Sequence, residues 1–419
     1  MSEEKAKSGI GRRKFIAAGA GIVAVAAIAG GYYITLPSQK KKEAIKIGVL
    51  APTTGSFAIM GEDQIHNAEF AIDKWNKKGG VLGIPITMVI RDTETKPEPA
   101  ARRAKELITT ERVDFLTGTV SNAVQYAVME VVKEENIIWM VGSGTTAPLK
   151  MKDKLSRYAW YIYSDVQMFS MADAKFAAEK IGKKAYIVAM DYVWGRLVTE
   201  YFTKEFEANG GKVIGQDFAP LGTTDYTPFF PKIMAANPDI LVLPIGGGDL
   251  ITMIKQAASY GISKKIPLMG INSPTVRDAA ALSPEDMENV YCGLHFYWEI
   301  PEAKEYVTEF MKKYDHPPDA WGYTVYAGLN ELFSAIERAG SLDKNKIKEE
   351  LEKPHTWNWG KGECYFRLCD HQAIQPWHIL KGKSPSEIKG KWDRLKLLHT
   401  FSAKENEKYL PTCKELGYE

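Results

Sequence analysis

From residue 45 onward, short apolar runs alternate with longer stretches whose apolar positions recur at helical spacing, so strands and helices are predicted in alternation. The opening unit has an apolar strand at 45–50, a polar, glycine-punctuated loop at 51–61 and an amphipathic helix reaching Lys78. A Gly79-Gly80 stop and a second strand at 84–90 complete it. Strand, crossover helix and strand within about fifty residues make a βαβ unit, and parallel strands place ligands beyond their carboxyl ends. The loop after Leu50 is therefore an expected place of binding.

The same pattern continues with strands at 84–91, 115–118 and 137–141 and helices at 63–77, 97–110 and 123–134, which together predict one doubly wound lobe. A second series has strands near 158–163, 185–190, 212–217, 240–243 and 267–269, with helices near 167–180, 196–209, 229–236 and 250–260. The chain is then expected to return to the first lobe through 291–296 and two helices at 302–314 and 321–339, ending in an irregular, aromatic-rich region at 354–419. The predicted class is α/β: two doubly wound parallel-sheet lobes joined by several crossings that form a hinge. No short fixed period supports a solenoid.

At 419 residues with 45% hydrophobic and 25% charged content, the chain suits two globular domains. Its 54 basic and 52 acidic residues leave a net charge of +2, too little to recruit nucleic acid, which is not an expected partner. Residues 1–36 read as an export segment: Gly11-Arg12-Arg13-Lys14-Phe15 resembles a twin-arginine motif, followed by an Ala/Gly-rich run from Phe15 to Leu36. As a helix that run would reach roughly 33 Å, enough to cross a bilayer, so both cleavage near Ala27-Ile28-Ala29 and retention as an anchor stay open. A linker at 37–44 follows.

The spacing of Cys364 and Cys369 suits two facing strand positions across a tight turn, and a disulfide is expected there. Cys292 and Cys413 would then bridge distant segments or stay free and buried. Scattered histidines and the lack of C-x-x-C or H-E-x-x-H spacing argue against zinc, and no metal or cofactor is expected.

Several loops at strand ends are candidate contacts. Gly142-Ser143-Gly144-Thr145-Thr146-Ala147 spells G-x-G-x-x-A, but Pro148 and the short stretch before the next strand leave no room for the crossover helix of a dinucleotide site. Ser121 or Asn122 is placed to cap a helix whose free N–H groups face a cleft and favour a carboxylate. Trp194, just after the strand ending at Met190, would sit at the mouth of the second lobe as a flat, water-excluding wall. Gly246, opening Gly246-Gly247-Gly248, lies at another cleft-edge loop.

The segment IGVLAPTTGSFAIMGEDQIHNAEFAIDKWNKKGG in the opening unit resembles the bi-lobed solute receptors of branched-chain amino acid and amide ABC importers, over roughly residues 45–380. That resemblance implies the type I periplasmic binding protein fold, with lobe 1 at 45–162 and 297–353 and lobe 2 plus hinge at 163–296 and 354–419. It implies an exported, extracytoplasmic binding protein, not an enzyme, which hands a solute to ABC permease subunits. A branched-chain or other hydrophobic amino acid is the first expectation; amides, urea and aromatic or aliphatic carboxylates are alternatives, and an extracellular ligand-sensing domain is an alternative class. In the family, positions matching Gly144 and Thr146 hold the solute's polar head, Ser121 and Asn122 match a Gly-x-x-Ser-Ser pattern except at Asn122, and an aromatic stands at Trp194. Two departures stand out. Asn272 replaces an acidic residue that pairs with the solute's ammonium, and Met60 replaces a polar group, so both weaken an α-amino acid assignment.

Overall fold

The computed structural model describes residues 42–143 and 146–418. The expected twin-arginine segment, with Arg12, Arg13 and the apolar run to Leu36, lies outside the described residues, as do most of the linker and Gly144. Among the described residues no helix is long and apolar enough to cross a membrane.

The first lobe is built from β1 (Ile45–Ala51), β2 (Ile86–Asp92), β3 (Phe115–Gly118), β4 (Trp139–Val141) and β5 (Ala159–Tyr161), all parallel. The second contains β6 (Lys184–Met190), β7 (Lys212–Ala219), β8 (Ile240–Leu243), β9 (Leu268–Gly270) and β10 (Val290–Leu294), also parallel. Helices cover the sheet faces, which is why β3 and β8 are buried at every position instead of alternating. Strand order reverses beside β1 in the first sheet (β5-β4-β3-β1-β2) and beside β6 in the second (β10-β9-β8-β6-β7). Each reversal splays the loops beyond the carboxyl ends apart and opens a crevice.

The C-terminal region departs from the sequence expectation. The family resemblance places residues 354–419 wholly in the second lobe and hinge, yet β11 (Thr356–Trp357), β12 (Cys364–Arg367) and β13 (Gln372–Ile374) extend the first sheet. The reason is local: Gln372 pairs with Tyr161 on β5, and its side-chain amide donates to the Tyr163 carbonyl at 2.6 Å, so the chain leaving the first lobe captures the hairpin. Only then does the chain cross, and β14 (Trp377–Gly382) adds antiparallel to β10, with β15 (Leu395–Phe401) antiparallel to β14 at the sheet edge. Both sheets are thus mixed.

Three segments link the lobes, at 162–165, 295–303 and 375–376, and the tail after β15 makes a fourth passage. Gln375 ties the third to the first through the Ile162 carbonyl at 2.8 Å and Ser164 Oγ at 3.1 Å. The tail returns to the first lobe, where Leu416 accepts from Lys152 N–H at 3.0 Å and the Tyr418 hydroxyl donates to the Lys150 carbonyl at 3.0 Å.

The expected Cys364–Cys369 bridge is not formed. Cys369 pairs with Cys413 in the tail, and Cys292 and Cys364 stay as buried thiols. Cys364 faces Trp357 on β11, while Cys369 lies in the turn after Arg367, so the two never oppose each other across the hairpin. Cys413→Ser is expected to lower stability by about 2–4 kcal/mol, measured by urea denaturation, because the bridge closes a long loop between hairpin and tail.

Candidate functional site

The two crevices face each other, and their loops enclose one gap of about 30 Å³ lined by Phe57, Met60, Val120, Asn122, Tyr192, Trp194, Gly246, Asn272, Ser273 and Trp321. Space of that size holds little more than a water or two. Admitting any organic solute therefore requires the lobes to part.

Each wall residue is delivered by a strand end. After β1 the chain turns through Gly55 into the helix Ala58–Asn76, setting Phe57 and Met60 at its start. After β3, Gly118 and Thr119 adopt positive φ and turn the chain so that Val120 and Asn122 face the gap at the start of the helix Asn122–Glu135. In the second lobe Tyr192 and Trp194 follow β6 at the start of the helix Val193–Ala208, and Gly246 follows β8. Asn272 and Ser273 follow β9, with Asn272 in the left-handed region at φ 59°.

Of the sequence candidates, Met60, Asn122, Trp194, Gly246 and Asn272 meet in this gap. Ser121 and Thr146 do not line it. Ser121 is the buried N-cap of its helix, but its side chain makes no capping bond there. Thr146 is fully buried, with its hydroxyl 3.0 Å from that of Tyr126. Sequence reasoning missed Phe57, Val120, Tyr192, Ser273 and Trp321. Phe57 lies within the loop already marked after Leu50, and Tyr192 adjoins Trp194, so both were within reach. Trp321 had only a weaker signal: Asp319, whose carboxylate accepts from Ala320 N–H at 2.8 Å, caps the helix Ala320–Ala339 and so aims its first turn at the gap.

Aromatic rings back the gap. Tyr163, on the first crossing, lies 5.0 Å from Trp321 and 3.9 Å from His295 between ring centroids. Its hydroxyl donates to Asn272 Oδ1. With one lone pair of that oxygen engaged, the amide N–H2 is the donor Asn272 can offer a solute.

Among the described residues, no Asp, Glu, Lys or Arg lines the gap. Asp249 lies behind Tyr192, its carboxylate accepting from Gly222 N–H at 2.7 Å and bonded to Ser56. Burial raises its pKa, and those two bonds oppose the shift. Asp191 points to solvent and pairs with Arg196 at 2.5 Å. Neither acid stands where Asn272 does.

The lobes already touch around this gap. A Cβ on Gly247, which has φ +60°, would lie 2.6 Å from the Ser56 carbonyl across the cleft. Gly247→Ala is therefore expected to hold the cleft ajar and weaken solute binding about tenfold, measured by calorimetry.

A family model described as periplasmic binding protein matches residues 44–387. The leucine-, isoleucine-, valine-, threonine- and alanine-binding protein of Pseudomonas aeruginosa is 24% identical over 314 residues, covering 74% of this chain and 82% of that one. Among solved structures, a solute-binding protein of an ABC transporter from Rhodopseudomonas palustris in complex with 3,4-dihydroxybenzoic acid has TM-score 0.78 at 21% identity, covering 86% of this chain and 98% of that one. A branched-chain amino acid transporter substrate-binding protein from Streptococcus pneumoniae in complex with isoleucine has TM-score 0.76 at 19% identity, covering 86% and 99%. Those two structures share the fold.

Proposed function

The chain belongs to the periplasmic binding protein family, and from that membership we propose that the interlobe gap captures a small carboxylate with an apolar or aromatic body for an ABC importer. The chain is a binding protein, not an enzyme, and membership implies an extracytoplasmic location. Delivery to the permease, and export by the segment holding Arg12 and Arg13, belong to the same proposal.

The observation that carries the solute class is the lining itself. Phe57, Met60, Val120, Tyr192, Trp194 and Trp321 supply apolar and flat surface, while Asn122, Asn272 and Ser273 supply the polar side chains. An amide N–H2 at Asn272 suits a carboxylate or carbonyl oxygen and is a poor partner for an ammonium. A buried ammonium without a carboxylate is costly, so the missing acid disfavours an α-amino group.

A branched-chain amino acid is the second reading, favoured by the amino acids in the name of the Pseudomonas relative. Calorimetry with benzoate, 4-methyl-2-oxopentanoate and leucine separates the two. The first reading expects at least one of the two carboxylates lacking an amino group to bind more tightly than leucine, and Asn272→Asp to weaken that binding tenfold or more by setting a negative charge against it. Tight binding of leucine alone would overturn it in favour of the second.

A further inference from the structure

The walls of the gap are tied together by contacts that involve no solute. The loop bearing Asn272 and Ser273 runs into the short second-lobe helix Val276–Ala280, whose first two backbone N–H groups, of Val276 and Arg277, donate to the first-lobe carboxylate of Asp319 at 3.2 and 2.9 Å. Asp319 also caps the helix carrying Trp321. The Arg277 guanidinium reaches the helix that carries Met60, donating to Glu62 and, at 3.4 Å, to the Ile59 carbonyl. One turn of the second lobe thus grips both first-lobe helices that form the opposite wall.

Opening the lobes would leave Asp319 with one of its three backbone donors, next to a second buried carboxyl. Asp63 accepts from Asp319 N–H at 3.2 Å, and burial together with the charge on Asp319 pushes its pKa up to about 8, against a smaller opposing pull from Arg277. Asp63 is thus held largely protonated at neutral pH, and the donors of the grip stabilise the carboxylate beside it. Glu62 is half exposed, but the Arg277 side chain is largely buried and also holds the Ile59 carbonyl, so this side-chain contact adds to the backbone one. The buried Asp319 contacts carry more.

We propose that Arg277 and Asp319 are positioning residues that latch the lobes shut independently of solute, and that the same contacts re-form around a captured solute, so that the latch sets part of the affinity. This rests on the reading of the gap as the solute site, but its test needs no solute. Solution scattering on the solute-free protein is expected to match the closed structure. Arg277→Gln and Asp319→Asn should each raise the radius of gyration, since a side-chain amide cannot accept both N–H groups at Asp319. The charge-swapped pair Glu62→Arg with Arg277→Glu should restore the closed value lost in Arg277→Gln. Arg277→Gln should also weaken binding of the tightest of benzoate, 4-methyl-2-oxopentanoate and leucine about five- to tenfold while the urea midpoint holds, which separates a latch from a merely structural contact. Unchanged scattering in both single variants, or no recovery in the swap, overturns the latch. A scattering response with no binding of any of the three probes would uphold the latch and count against the carboxylate reading alone.

Discussion

Lys150→Met is expected to destabilise the protein by about 3–5 kcal/mol, read from urea denaturation at neutral pH, more than loss of any surface ion pair. Lys150, Asp165 and Asp370 have no side-chain exposure at all. The ammonium lies 2.7 Å from Asp165 Oδ2, which has no directed hydrogen bond of its own, 3.4 Å from Asp370 Oδ2 and 3.1 Å from Gln372 Oε1. Removing it leaves two buried carboxylates facing each other, with Arg367 holding only Asp370. Asp370 is instructive: burial raises its pKa, yet the opposing effects of Lys150 and Arg367 win and the net shift is downward. Its contribution is therefore present above the ordinary carboxylate range and is lost as pH falls through its lowered pKa. By contrast the exposed Lys105–Glu134 pair should cost little when broken, because solvent screens it. A loss of that small size for Lys150→Met would mean that water reaches the cluster. The cluster matters for function because it joins the first crossing to the β12–β13 turn, the fixed side about which the lobes must move.

Trp194→Ala is expected to weaken solute binding by about 1–3 kcal/mol, roughly 5- to 150-fold, while leaving the fold intact. The ring starts its helix at the mouth of β6, lies 6.1 Å from the Tyr192 ring, and is nearly buried among residues of both lobes, Phe57, Met60 and Trp321 included. Truncating it would open the gap to solvent and remove the largest flat surface from the second-lobe wall. The two readouts separate the roles. Affinity falling with an unchanged urea midpoint marks a solute wall; stability falling with affinity unchanged marks a core ring.

Much of this was legible in the pattern of the chain, for physical reasons that also explain what was not. A buried parallel strand needs a continuous apolar run and its crossover helix needs 3.6-residue spacing, so the two wound lobes could be read directly. Strand order then dictates where loops gather, which is why Asn122, Trp194 and Gly246 could be chosen from their places after strands, whereas Met60 and Asn272 stood out only as departures from the family's pattern. Hydroxyl direction is different. Ser121 and Thr146 occupy the expected loops, but side-chain torsions turn Thr146 toward Tyr126, and no spacing rule encodes that. Pairing at a sheet edge is also decided by tertiary contacts: β13 joins the first lobe through Gln372, and Cys369 meets Cys413 because the tail folds back, 44 residues away. Trp321 arrives through a helix start on the far side of a crossing, where strand-end reasoning does not look.

The central claim, that this gap is the solute site, is tested most directly by a crystal structure with the tightest of benzoate, 4-methyl-2-oxopentanoate and leucine bound. The account predicts one solute between the lobes, its carboxylate within hydrogen-bond distance of the Asn272 amide and its apolar body against Trp194 and Met60. Density instead in the groove beside the hinge lined by Lys361, Tyr365, His378 and Thr400, with the interlobe gap unchanged, would contradict it.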